Sequence, residues 1–141
     1  MVNVFVLRGA YELEMNHDAE AAFRLFDQIP QVDSSEDKIK MWHFHRGRVF
    51  ELLQHDAAAA KKEYTMAIEG KNPNLGAAHR LALLESRHGD QNAAIALWER
   101  IVRIKPDDEE ALWHLSMSAR KNGDEKHAAK LEARALKIGG R

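Results

Sequence analysis

The sequence predicts an all-α fold assembled from repeated helical hairpins, and three observations predict it. Apolar residues recur at i, i+3 and i+4, as in Leu81 and Leu84 and then Ile95, Trp98, Ile101 and Ile104. Breakers are scarce, with three prolines and eight glycines in 141 residues. They also fall at regular places: NHD at 16–18, QHD at 54–56, HGD at 88–90 and NGD at 122–124. Asp56, Asp90 and Asp124 are spaced by 34 residues.

Each aspartate that ends a turn is placed to accept a hydrogen bond from the orphan amides of the helix starting just after it. Gly89 and Gly123 supply the left-handed residue that closes the preceding helix, and His17 and His55 are turn residues at the corresponding places. Pro30, Pro73 and Pro106 each follow a helical stretch begun about a dozen residues earlier, where the ring and missing N–H stop the helix. After Pro106 the segment DDEE offers Asp107 as a cap, with Glu110 reaching back three residues later. From Asp18 to Asp56 the spacing is 38 residues, so QVDSSEDKIK (31–40) lengthens a loop or the start of the third long helix.

A two-helix repeat of 34 residues, with small residues at the crossing and proline at the end, resembles the tetratricopeptide repeat. The best copy is residues 75–108, with Leu81, Ala82, Gly89, Asp90, Ala94, Trp98 and Pro106 at the family's positions. Residues 109–141 repeat it through Leu115, Ser116, Gly123, Asp124, Ala128 and Ala135. Gly47, Ala60, Tyr64, Ala67 and Pro73 mark residues 35–74, and Gly9, Leu13, Ala22, Phe26 and Ile29 mark residues 1–34. Alanine stands at the crossing in all four copies (Ala22, Ala60, Ala94, Ala128). Glycine sits one place early relative to the turn in the first two. In the last copy Glu132 replaces the aromatic among Lys126, Lys130 and Arg134, a polar outer face. The resemblance implies a single domain over 1–141, an α-solenoid of about four repeats whose concave groove holds a peptide or a helix of another protein.

Composition narrows the function classes. With a formal charge of −1 and 30% charged residues, no global field draws the chain to nucleic acid. No cysteine is present, which removes disulfides and thiolate metal sites. The apolar stretch ahead of Arg8 is too short for a signal peptide or membrane span, and a cytoplasmic location is expected. The chain contains no GxSxG, HExxH or Gly-rich phosphate loop, and no catalytic role is expected. The histidines come from successive repeats and would have to converge on one ion; neither metal nor cofactor is expected.

Counting from the turn aspartates defines three rows along the implied groove. The first holds Leu7, His45, His79 and Trp113. The second holds Tyr11, Val49, Leu83 and Met117, and the third Arg8, Arg46, Arg80 and His114. Arginines beside aromatic and apolar side chains suit a ligand carrying carboxylates and a hydrophobic anchor, with Arg46 and Arg80 as the carboxylate-binding pair. Only Arg80 falls where some members of the family hold a C-terminal carboxylate, so a chaperone-tail clamp is not expected. The leading expectation is a non-enzymatic adaptor, scaffold or chaperone. The alternative is a structural subunit that homo-oligomerises through its first helix. VNVFVL is apolar almost all around, and Val2, Phe5 and Val6 are its expected contact residues, with a short strand also open to these β-branched side chains.

Overall fold

A computed structural model of the chain describes residues 1–139. Among them every regular element is a helix: α1 (Val2–Glu14), α2 (Ala19–Phe26), α3 (Ile29–Val32), α4 (Glu36–Leu52), α5 (Ala57–Ala67), α6 (Leu75–Arg87), α7 (Gln91–Ile104), α8 (Glu109–Lys121) and α9 (Glu125–Gly139). The β-branched start of the chain is therefore helical rather than extended. Packing divides the chain into two compact units, Met1–Ala78 and the residues from His79 onward, with the division inside α6.

The helix starts follow the aspartates. Asp18, Asp56, Asp90 and Asp124 each accept a hydrogen bond from the amide three residues on, at 3.0–3.1 Å. Two local expectations need correction. Asp108, not Asp107, caps α8, accepting from the Ala111 amide at 2.9 Å, because the turn after Pro106 takes one more residue before helical geometry resumes. Pro30 sits in the first turn of α3 instead of ending α2, a place where its missing N–H costs nothing. The extra residues near 31–40 are divided between α3, a loop at Asp33–Ser35 and the first turns of α4.

The turns also explain the displaced glycines. Three residues, Met15–His17 and Leu53–His55, precede the caps of α2 and α5, whereas two, His88–Gly89 and Asn122–Gly123, precede those of α7 and α9. His17 and His55 both adopt a left-handed φ of 52°, the conformation Gly89 and Gly123 supply elsewhere. The crossing positions are thus Gly9, Gly47, Ala82 and Ser116, of which Ala82 and Ser116 have no exposed surface. Counting from the aspartates runs one residue late in α1 and α4.

In the first unit α1 packs on α2 and α3, and α4 packs on α2, α3 and α5. Phe26, Ile29, Val49, Leu13, Ala22 and Val2 form its core, flanked by half-buried Phe5, Val6, Phe23, Met41 and Trp42. A Cβ on Gly9 would lie 2.4 Å from the Phe26 ring, and one on Gly47 would lie 2.4 Å from the Tyr64 ring. The Tyr64 hydroxyl, itself buried, donates to Glu51 at 2.8 Å. His45 stacks on Phe26, with ring centroids 4.7 Å apart and planes 14° from parallel. Its burial, and secondarily the charge of Arg48, hold its pKa down at about 4.

In the second unit α8 packs on α7 and α9. Leu112, Leu131 and Ala135 form an apolar cluster with Val102, Trp113, Leu115 and Ile138 against it. Glu132 pairs with Arg120, while Lys126, Lys130 and Arg134 are exposed.

Gly47→Ala forces a methyl into the Tyr64 ring and is expected to cost about 1–3 kcal/mol in urea unfolding. His55→Gly relieves a left-handed non-glycine residue and is expected to gain about 1 kcal/mol in the same assay. For His45 the unfolded chain takes up its proton near the ordinary histidine value of 6.5 and the folded chain only near 4. Its contribution is complete above that upper value and is lost as pH falls through the window, about 3 kcal/mol in all. His45→Phe, which keeps a ring on Phe26, should flatten that part of the stability profile.

Candidate interaction surfaces

The corrected register changes which side chains share a row. In the first unit Val6 and Phe44 occupy the places assigned to Leu7 and His45, and Arg48 occupies that assigned to Val49. Val49 is wholly buried and His45 nearly so, and both belong to the core. A side chain with no exposed surface touches no ligand, so neither lines a groove.

Arg46 is likewise committed inside the first unit. Its guanidinium donates to Asp27 on the segment after α2 at 2.8 Å and to Glu63 on α5 at 3.2 Å. It lies 5.1 Å from the Phe23 ring, 5.6 Å from Trp42 and 5.7 Å from Phe50. Burial works against its charge, but the hydrogen bonds and charges of Asp27 and Glu63 outweigh it and raise its pKa. Trp42 Nε1 donates to the same Asp27 oxygen at 2.8 Å, and His43 Nδ1 meets Glu63 at 2.6 Å. Through this one cation α4 is tied to α5 and to the residue that ends α2, and its acids come from those elements rather than from its own helix.

The cation facing the other way is Arg48, which the row counting missed. It donates to Glu14 on α1 at 2.6 Å and lies 5.8 Å from the Phe44 ring. Counting from Gly47 instead of Asp56 brings it to the row of Leu83 and Met117. Arg8 and Tyr11 are exposed on α1. Val2 is buried, and Phe5 and Val6 pack against the core, so the residues named for self-association point inward.

In the second unit His79 Nε2 lies 3.0 Å from the Asp108 carboxylate, which ties the start of that unit to the cap of α8. Arg80 and Leu83 are half-buried, as is Trp113. His114 stacks flat on Trp98, with centroids 4.3 Å apart and planes 4° from parallel. Burial lowers its pKa, with Glu110 acting against that and His79 adding to it. This stack floors a cleft of about 260 Å³ between α7 and α8. Ile95 and Met117 give it apolar walls, and its rim carries Lys121 and the amides of Gln91, Asn92 and Asn122, with Ser86 and Ser118. Among the described residues no carboxylate lines it. An apolar side chain fits such a cleft, with a carboxylate or carbonyl beside it meeting the ammonium and amide donors.

Sequence reasoning named His114 and Met117 here, whereas Trp113 packs against the cluster of Leu112, Leu131 and Ala135; the structure adds Trp98, Lys121 and the turn amides. Among the described residues no three His, Asp or Glu side chains are grouped to hold a metal ion, and no helix is long and apolar enough to cross a membrane.

No family model matches the chain, and no curated protein matches it in sequence. Its fold is similar to that in a crystal structure of MamA, with a TM-score of 0.75 at 18% identity over 99% of this chain and 78% of that one. A second crystal structure of MamA protein gives a TM-score of 0.59 at 15% identity, covering 97% of this chain and 91% of the other. The likeness supports the all-helical, tetratricopeptide-type solenoid fold that the repeats imply.

Proposed function

We propose that the chain is a non-enzymatic protein-interaction module, and that its second unit receives an apolar side chain of a peptide or helix with an acidic or carbonyl group beside it. The observation that carries this reading is the cleft on the Trp98–His114 stack, with an apolar floor and a rim of one ammonium and several amides. Aromatic and thioether surface beside an ammonium and the amides of Asn92 and Asn122 is the composition of a peptide-binding subsite, while the Gln91 amide already donates to the Ser86 carbonyl at 2.9 Å. Met117, 54% exposed, is the adaptable wall. This reading moves the acid-binding role from Arg46, which is occupied inside the fold, to Lys121. His79, Arg80 and Leu83 lie outside the lining of this cleft and Trp113 packs against the cluster of Leu112, Leu131 and Ala135, so the proposed subsite rests on His114 and Met117 among the residues the sequence named.

Selection of peptides from a random phage library against the whole chain tests the proposal. Binders are expected to share an apolar residue flanked by acids, and Met117→Glu and Lys121→Glu should each weaken them at least about tenfold. Helical content measured by circular dichroism should not change. Binders indifferent to both substitutions would place the peptide elsewhere and remove the basis of this reading.

A further inference from the structure

The first helix leaves an apolar stripe uncovered: Val4 is 51% exposed, Leu7 70%, Tyr11 56% and Met15 66%. Arg8 is exposed among them and makes no ion pair or hydrogen bond with any described residue. The repeat identifies this face. Gly9 and Gly47, Asp18 and Asp56, and Ala22 and Ala60 share one 38-residue offset. By that offset Val4, Leu7, Arg8, Tyr11 and Met15 correspond to Trp42, His45, Arg46, Val49 and Leu53.

On α4 those positions form the face that α2 and the residue after it cover. Phe26 stacks on His45 at 4.7 Å, and Asp27 accepts from Trp42 and from Arg46 at 2.8 Å each. Phe23 lies 5.1 Å from the Arg46 guanidinium, and Val49 is closed off completely. The fold thus shows what a helix must carry to cover such a face: two apolar side chains three residues apart, with a carboxylate next to the second. On α1 the arginine is present and the carboxylate is missing. Leu25 stands where Glu63 would be, so the hairpin offers Arg8 no acid from that place either.

We infer that the outer face of α1 is a docking surface for an amphipathic helix of a partner protein, presenting two apolar side chains and then a carboxylate that pairs with Arg8. A second copy of this chain stacked end to end does not supply that helix. The α9 counterparts of Phe23, Phe26 and Asp27 are Ala129, Glu132 and Ala133. Glu132 is already paired with Arg120, and exposed Lys126, Lys130 and Arg134 around it would set like charge against Arg8.

The probe is a peptide of residues 17–34, HDAEAAFRLFDQIPQVDS, stapled through its solvent-facing positions 20 and 24 so that it is helical when isolated. Titrated into the whole chain and followed by amide NMR, it should shift the signals of Val4, Leu7, Tyr11 and Met15. Asp27→Asn in the peptide, or Arg8→Glu in the chain, should each weaken it about tenfold. Arg8→Glu should bind an Asp27→Arg peptide as tightly as the original pair, a rescue that damage to folding would not produce. Met117→Glu and Lys121→Glu should leave this peptide unaffected, which separates the test from that of the cleft. Absence of binding, or binding indifferent to Arg8, overturns the inference. So does light scattering that shows a dimer which Leu7→Glu converts to monomer, because the face then belongs to a second copy.

Discussion

The helices of the first unit approach as closely as they do because Gly9 and Gly47 have no side chain. At each crossing a ring, Phe26 or Tyr64, occupies the space where a Cβ would stand. Ordinary helix pairs keep their axes about 8–10 Å apart with side chains between them; here a ring laid on bare backbone fills that contact without a void. Much else depends on this contact. Phe26, held against α1 on one side, offers its other side to His45. Tyr64, held against α4, is placed to donate to buried Glu51. One glycine per hairpin therefore sets the packing within that hairpin and prepares the surface on which the next helix is laid.

The half-buried charge of Arg46 works within the same frame. A guanidinium enclosed by Phe23, Trp42 and Phe50 loses hydration, and Asp27 at the end of α2 and Glu63 on α5 replace it by accepting directed hydrogen bonds. Deleting either acid would leave a half-buried cation with an unsatisfied donor, which costs more than the pair contributes. Such a group determines which helix packs where, and it is unavailable to a ligand. Arg48, two residues on, points the other way and meets α1 through Glu14. Two arginines so close in sequence take different parts only because the helix turns about 200° between them.

Features resting on local rules were legible in the sequence. The four aspartate caps and the left-handed turn residues depend on a few neighbouring residues, and each lies where the sequence places it, histidines included. The face of each helix depended on a count, and the count began from the wrong landmark. An aspartate marks where the second helix of a hairpin begins, whereas the glycine facing a ring marks the inward side of the first. The two agree only when the turn between them has constant length. The signal was present, since Ala22 and Ala60 align while Gly9 and Gly47 sit one place early. Counting from the glycines yields Phe44 and Arg48. VNVFVL misled for a related reason: apolar residues all round hide the stripe. Gly9 and Leu13 extend that stripe, and Val2, Phe5 and Val6 join them on the inward side, leaving Val4, Leu7, Tyr11 and Met15 outside. The cleft of the second unit was half legible, because its polar rim comes from two turns distant in sequence that only packing brings together.

The two surfaces differ in how binding there couples to stability. The cleft in the second unit is small, and its floor is a stack already closed by the fold, so a ligand there adds contacts without completing any core. The outer face of α1 is exposed, where the equivalent face of α4 is covered by α2. In repeat architectures stability is approximately a sum of hairpin terms and neighbour interfaces. A helix laid on α1 supplies the interface term that α2 supplies to α4. It binds the folded α1–α2 hairpin and not its unfolded chain, so occupancy stabilises that hairpin in proportion to the logarithm of partner concentration over Kd. The contact that gives the partner its specificity, a carboxylate on Arg8, is then also the contact that makes the first hairpin resemble an internal one.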